Sequence, residues 1–238
     1  MPEPGRIVIL TGAGVSRESG IETFRDKDGI WSRVRIEDVA TPEAFVRNPV
    51  AVHEFYNWRR RRLLDPAVVP NAAHAALARL DEAWDGALLL VTQNIDDLHE
   101  RAGSRRLLHM HGEHLKARCA ACDHVVDWRE DLSVELACGA CGRRGGMRPH
   151  VVWFGEMPHG LEEIDAALSE CHLFIAIGTS GAVYPAAGFV ERAMAAGART
   201  VELNLEPTQV SRRFDEHVYG PASEIVPAFV ERLLADRL

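Results

Sequence analysis

Four of the five cysteines form two pairs, Cys119-x2-Cys122 and Cys138-x2-Cys141, with fifteen residues between the pairs. This is the knuckle spacing of a tetrahedral zinc site. Four thiolates leave the metal no open position, so its expected role is structural. A disulfide pair is the other use of such cysteines, and a reducing compartment disfavours it. A zinc ribbon that grips nucleic acid is a rival, because Arg118, Arg143, Arg144 and Arg148 lie nearby. The fifth cysteine, Cys171, continues an apolar helical stripe and is expected in the core.

Two glycine-bearing segments follow apolar runs. Gly12-Ala13-Gly14 makes a tight turn whose backbone N–H groups can approach a pyrophosphate at a helix N-terminus. The dehydrogenase fingerprint G-x-G-x-x-G is not met, since Arg17 stands at its third glycine. Nor does an acidic residue close a second strand about 20 residues on. Gly178-Thr179-Ser180 ends another apolar run and adds a second phosphate or ribose contact. Together these point to a nucleotide and away from hydride transfer.

A third signal is an arginine in an apolar place. From Asn48-Pro49, which read as N-cap and N1 of a helix, Val52, Phe55, Tyr56, Arg59 and Leu63 recur at helical spacing. Arg59 therefore lies on the apolar stripe. A guanidinium there needs an anionic or hydrogen-bonding partner, unless it snorkels past the core. Arg60, Arg61 and Arg62 fit a solvated face.

These groups need a frame to hold them. Residues 6–10, 87–91, 105–108, 172–177 and 199–203 read as strands, alternating with helical stripes. One stripe is Ala73, Ala76, Leu77, Leu80 and Trp84, a second Leu161, Ile164, Leu168 and Cys171, a third Val226, Phe229, Val230 and Leu233. Each strand runs into small or polar residues, and open α/β sheets bind ligands at such carboxyl ends. The expected fold is α/β, a Rossmann-like doubly wound parallel sheet formed by 1–33, 70–112 and 150–238. A helical insertion, 34–69, and the zinc-binding module, 113–149, are expected to form a smaller domain.

The chain has 238 residues, 27 basic against 35 acidic, and a formal charge of −8. That argues against a general grip on nucleic acid or an anionic membrane. Only Lys27 and Lys116 among the basic residues are lysines, as codon bias in an Arg-rich proteome would produce. The N-terminus lacks an apolar h-region, and no apolar run nears the ~20 residues of a membrane span. A cytoplasmic protein, working as a monomer, is the expectation.

Nearly the whole chain, in order, resembles the sirtuins, NAD-dependent protein lysine deacylases. The resemblance rests on GAGVSRESGIETFR (12–25), TQNID (92–96), HMHG (109–112), the four-cysteine module, VVWFGE (151–156), GTSGAVYPA (178–186) and NLE (204–206). It implies that the acyl-lysine oxygen attacks the nicotinamide ribose and releases nicotinamide. A histidine then activates a ribose hydroxyl, and the acyl group ends on ADP-ribose. That histidine maps to His111, with His109 and His114 as neighbours and His74 as a structural residue. The resemblance implies catalytic roles for Asn94 and Asp96, which order the ribose and hold the carboxamide; capping of the next helix is their bland alternative. Cofactor contacts are implied for Gly12, Ala13, Gly14, Ser16, Phe24, Arg25, Gln93, Ile95, Gly178, Thr179, Ser180, Asn204, Leu205, Glu206 and Ala222.

On the substrate side the resemblance implies Val151, Phe154, Gly155 and Glu156, in a segment that pairs strand-like with the peptide backbone. Tyr56-x-x-Arg59 resembles the pair that binds the distal carboxylate of succinyl- or malonyl-lysine in the class III branch. Arginine suits that task, being always charged and able to bond a carboxylate bidentately. Ala40 resembles the small residue that enlarges the same branch's acyl pocket. Desuccinylation, demalonylation and deacetylation are therefore expected, with NAD and Zn(2+) as cofactors and acylated lysines of proteins as partners. Mono-ADP-ribosyl transfer from the same NAD site is an alternative that gives Tyr56 and Arg59 no purpose. A non-enzymatic NAD-sensing zinc module is another, and it leaves His111 unexplained.

Overall fold

The computed structural model describes residues 5–23 and 34–236. Within them, six parallel strands form one sheet: β1 (Ile7–Thr11), β2 (Leu88–Thr92), β3 (Leu107–His109), β7 (Leu173–Ile177), β8 (Arg199–Asn204) and β9 (Glu216–Tyr219). Their order is β3-β2-β1-β7-β8-β9. The chain leaves the central β1 for strands on either side of it, which opens a crevice at the strand ends.

Both faces of the sheet are covered, so β7 is apolar at every position and β1 and β2 at all but their terminal threonines. Ile7 and Ile9 pack with Leu77 and Leu80 of α4 (Ala72–Ala83) and Val226 and Phe229 of α8 (Ala222–Ala235). Val8 and Leu10 face the other way, onto Ile164 and Leu168 of α6 (Leu161–Ser169) and Val190 of α7 (Phe189–Ala195). Full burial of each such side chain contributes roughly 1.5–3 kcal/mol. The five expected strands are all present, with ends shifted by one or two residues. The sixth, β9, carries the residues EHVY at the sheet edge with alternate positions exposed. A short polar edge strand lacks the apolar run by which strands are read.

A second, three-stranded antiparallel sheet holds β4 (Gly112–Cys119), β5 (Val125–Asp127) and β6 (Met147–Val151) in the order β5-β4-β6. Beside it lie α1 (Ile36–Val39), α2 (Pro42–Arg47) and α3 (Pro49–Leu63). Proline opens both α2 and α3, and Thr41 and Asn48 cap them by accepting from the N–H groups of Ala44 and Ala51, each at 3.1 Å. Val39, Ala40, Val52 and Tyr56 pack against Val151 and Trp153, joining these helices to β6.

Arg60 departs from its expected solvated face, being 0% exposed. Its guanidinium donates to the carbonyl of His114 at 3.2 Å, to Asn57 Oδ1 at 3.0 Å and to the carbonyl of Glu130 at 3.3 Å. Backbone carbonyls of β4 and of the chain after β5, with the Asn57 side chain, hold its Nε and Nη1, tying α3 to the second sheet. No helix among the described residues is long and apolar enough to cross a membrane.

Candidate active site

The loops after β1, β2, β7 and β8 line one cavity of about 1110 Å³, which also reaches α3 and β6. The first and third interlock. Gly12 donates its N–H to Ile177 O and Gly14 to Gly178 O, each at 2.9 Å. A Cβ on Gly14 would meet Gly178 Cα at 2.7 Å, and one on Gly178, whose φ is +59°, would meet Val15 N at 2.6 Å. Glycine is required here because two backbones touch. The helix expected after this loop is replaced by two 3₁₀ turns, Ala13–Val15 and Arg17–Ser19. Small residues and a second turn at Gly20 stop it from extending, so among the described residues no α-helix N-terminus faces the cavity from this loop.

The segment after β2 is pinned residue by residue. Gln93 donates from its main chain to Thr11 O at 2.9 Å and from Nε2 to Thr179 Oγ1 at 3.0 Å. The Asn94 amide donates to Gly12 O at 3.2 Å and to Ser16 Oγ at 3.1 Å. Ser16 donates in turn to Asp96 Oδ2 at 3.0 Å, while Asp96 Oδ1 accepts from the Leu98 N–H at the start of α5 (Leu98–Ala102). Both carboxylate oxygens are thus held by neighbouring protein donors. Burial raises the Asp96 pKa against the pull of these donors. Ser16 and Asp96 lie one layer behind the large cavity; Gly12, Ala13, Gly14, Gln93, Asn94 and Ile95 line it. His74 completes the layer: its Nδ1 accepts from the Asn71 N–H at 3.3 Å, and Nε2 stands 3.4 Å from Ser16 Oγ.

Beyond β3 the chain places two histidines on consecutive carbonyls. His109 Nδ1 donates to Asn94 O at 3.0 Å, and His111 Nδ1 to Gln93 O at 3.1 Å. A carbonyl only accepts, so each Nδ1 carries the proton. His109 Nε2 then meets Glu100 at 2.6 Å. Burial works against its charge, but Glu100 and the Asn94 carbonyl outweigh it and raise the His109 pKa. His111 has no such carboxylate. Burial lowers its pKa, the Gln93 carbonyl opposes and His159 adds to the lowering. Its ring lines the large cavity.

The opposite wall carries Ala40, Tyr56, Arg59, Val151, Phe154, Gly155 and Glu156. Tyr56 is buried and neutral, its pKa raised by burial, and its oxygen accepts from Trp153 Nε1 at 3.0 Å. The phenolic proton is therefore left to donate. The Phe154 N–H donates to Ala40 O at 3.0 Å. Glu156 is held from within by Arg148, by Arg118 and by the Trp153 N–H at 2.8 Å. Its carboxylate locks the segment, and two of the arginines that favoured nucleic acid are turned onto it.

Gly178, Thr179, Ser180, Asn204, Leu205, Glu206 and Ala222 complete the expected wall. Phe24 and Arg25 lie outside the described residues. Sequence reasoning missed Arg17, Glu18, Trp153, Tyr184 and the Gly220-Pro221 turn, all on the cavity. The turn follows β9, so missing that strand hid it. Glu18 accepts from the N–H and hydroxyl of Ser223 at 2.9 and 2.6 Å, fastening the β1 loop to α8.

The four cysteine sulfurs lie within 4.8 Å of one another, with Cys119–Cys141 at 3.8 Å and Cys122–Cys138 at 3.7 Å. Disulfides would need about 2.05 Å. Tetrahedral zinc with bonds of about 2.3 Å separates its sulfurs by about 3.8 Å, so the donor set fits zinc. Cys119 and Cys138 pack with Ala117, Leu132 and Met147 in a small core.

Residues 12–185 match the sequence profile of the Sir2 family. The NAD-dependent protein deacylase of Escherichia coli (strain K12) is 60% identical over 98% of this chain and 83% of its own. The protein of that name from Salmonella typhimurium is 58% identical over 98% and 86%. The crystal structure of a Sir2 homolog–NAD complex superposes with a TM-score of 0.88 at 38% identity, covering 99% of this chain and 91% of the other. A Sir2–p53 peptide–NAD+ structure gives 0.80 at 30% identity, covering 99% and 94%.

Proposed function

The chain belongs to the Sir2 family, and on that premise we propose that it is an NAD-dependent protein lysine deacylase accepting succinyl and malonyl as well as acetyl groups. NAD supplies the ribose carbon that takes the acyl-lysine oxygen and the ADP-ribose that leaves with the acyl group, freeing nicotinamide. Gly12, Ala13, Gly14, Gln93, Ile95, Gly178, Thr179, Ser180, Asn204, Leu205, Glu206 and Ala222 hold it along the strand ends. Ser16 acts one layer behind, through Asn94 and Asp96. Asn94 orders the ribose and Asp96 holds the carboxamide. His111, protonated at Nδ1, offers the Nε2 lone pair as general base.

The acyl choice rests on one observation: Tyr56 and Arg59 line the same cavity as His111. A phenolic donor and a guanidinium fork suit a carboxylate at the end of an acyl chain. Small Ala40 leaves room for it, and the 154–156 segment takes the peptide backbone. Zinc on Cys119, Cys122, Cys138 and Cys141 braces the second sheet and takes no part in chemistry.

The same reading keeps the division into a nucleotide-binding domain (1–33, 70–112, 150–238) and a small domain (34–69, 113–149). A four-thiolate site suits the reducing cytoplasm, and the inward-facing Arg118 and Arg148 support an enzyme without nucleic-acid or membrane partners.

The test compares kcat/KM on succinyl, malonyl and acetyl peptides for wild type and Arg59→Met. Loss of a charge-assisted pair should lower the succinyl value about 10- to 150-fold, with a much smaller effect on acetyl. Equal losses on both would refute the carboxylate-reading role. Nicotinamide release yielding ADP-ribosylated protein rather than free lysine would favour the transferase.

A further inference from the structure

Trp153, just beyond β6, is 2% exposed and is held at both its main chain and its ring. Its N–H donates to Glu156 Oε2 at 2.8 Å, and its carbonyl accepts from the Glu156 N–H at 2.9 Å. The Arg148 guanidinium bonds the same carboxylate at 2.6 and 2.9 Å and lies over the indole, its carbon 3.3 Å from the ring centroid. Phe45 packs against the indole at 5.4 Å between centroids. The ring is therefore fixed, and its Nε1–H is aimed at the phenolic oxygen of Tyr56 at 3.0 Å. Among the described residues this is the only hydrogen bond to that oxygen.

Conjugation keeps a phenolic O–H in the plane of its ring, so the proton has a position on either side of the oxygen. A donor on one side leaves it the other. Accepting a hydrogen bond also polarises the O–H and makes it a stronger donor. Resting on the acyl reading above, we propose that Trp153 is a positioning residue for acyl choice. Its indole N–H sets the Tyr56 hydroxyl as a donor toward the large cavity, which both side chains line with Arg59. A carboxylate at the end of an acyl chain accepts there from Tyr56 and Arg59 together; a methyl group cannot. Trp153 thus acts on succinyl and malonyl groups through Tyr56, and much less on acetyl.

The experiment measures kcat and KM on succinyl and acetyl peptides for wild type, Trp153→Phe, Tyr56→Phe and the double variant, with melting temperature as folding control. Phenylalanine keeps a ring under Arg148 and loses the N–H. Benzothienylalanine placed at position 153 keeps the bicyclic shape with sulfur where the N–H was, so it tests the donor even if Trp153→Phe folds poorly. Either replacement should raise the succinyl KM about three- to tenfold relative to the acetyl KM. In the Tyr56→Phe background Trp153→Phe should add nothing to that ratio. Parallel changes on both substrates, an undiminished effect in the Tyr56→Phe background, or an unchanged ratio where Tyr56→Phe alters it would overturn the positioning role and leave the acyl reading standing. A wild type without desuccinylation, or a Tyr56→Phe ratio equal to that of wild type, would instead overturn the acyl reading and this proposal with it.

Discussion

His111 and Gln93 are joined by a hydrogen bond of 3.1 Å from the ring Nδ1 to the main-chain carbonyl. The bond assigns the tautomer: with Nδ1 protonated, Nε2 is the basic atom. Gln93 also donates to Thr11 O and to Thr179 Oγ1, so the residue that orients the histidine is held by the loops that line the nucleotide cavity.

The pH profile follows from the same burial. Only neutral His111 can take a proton, and its pKa is lowered, chiefly by desolvation. The active form therefore persists to lower pH than a free histidine allows. The acid limb of kcat/KM on an acetyl peptide should have its midpoint below ~6.5. A midpoint above that value would mean that another group, or a neighbouring charge, governs the step.

His111→Tyr should abolish deacylation while leaving melting temperature and zinc content near wild type. The ring is on the cavity wall, so its removal subtracts a proton acceptor and little packing. A single general base is worth about 10²–10⁴ in rate. Retained activity would move the role elsewhere, and His109 is a poor substitute: its Nε2 already faces Glu100 at 2.6 Å.

Much of this was legible because it follows period and spacing. Strands such as Leu173–Ile177 are unbroken apolar runs, and two Cys-x2-Cys pairs declare a closed metal site. Other features depend on partners distant in sequence. Arg60 follows Arg59 by one residue on an Arg-rich helix, yet its acceptors are the carbonyls of His114 and Glu130. No helical pattern announces a buried arginine whose partners are backbone atoms of another segment. In β6, Arg148 is likewise buried because Glu156 and the Trp153 ring, 3.3 Å from its guanidinium carbon, receive it. The layer of His74, Ser16 and Asp96 joins three segments that only the folded sheet brings together.

Zinc removal should abolish activity by loosening structure. β4 begins one residue after His111, and Gly112 pairs with Val151 on the cavity wall, so disorder in the cysteine module reaches the site through both strands. Chelation should lower the melting temperature and the activity together, and added zinc should restore both. Cobalt, another tetrahedral thiolate binder, should support similar activity. A strong dependence of kcat on metal identity, at equal melting temperature, would contradict a structural role.

Arg60→Ala should separate stability from specificity. Burial lowers the Arg60 pKa only to about 10, so the group remains charged at neutral pH. Its removal leaves the carbonyls of His114 and Glu130 without their donor, while Asn57 Oδ1 keeps the Leu132 N–H, and opens a cavity between α3 and the second sheet. Each buried carbonyl left without its donor costs about 1–3 kcal/mol, so the two together cost about 2–6 kcal/mol. For a chain of this length each kcal/mol lowers the melting temperature by roughly 2–4 °C, so a drop of roughly 4–24 °C is expected. Arg61→Ala, which loses an exposed pair with Asp131, should change stability by no more than about 0.5 kcal/mol. The two neighbouring arginines then give opposite signatures. Arg59→Met shifts the succinyl-to-acetyl ratio with little effect on melting, and Arg60→Ala shifts melting with little effect on the ratio. Both measured on one set of purified variants would show whether the helix assigns its adjacent guanidinium groups to substrate and to scaffold; a ratio that moved equally in both would sink that division.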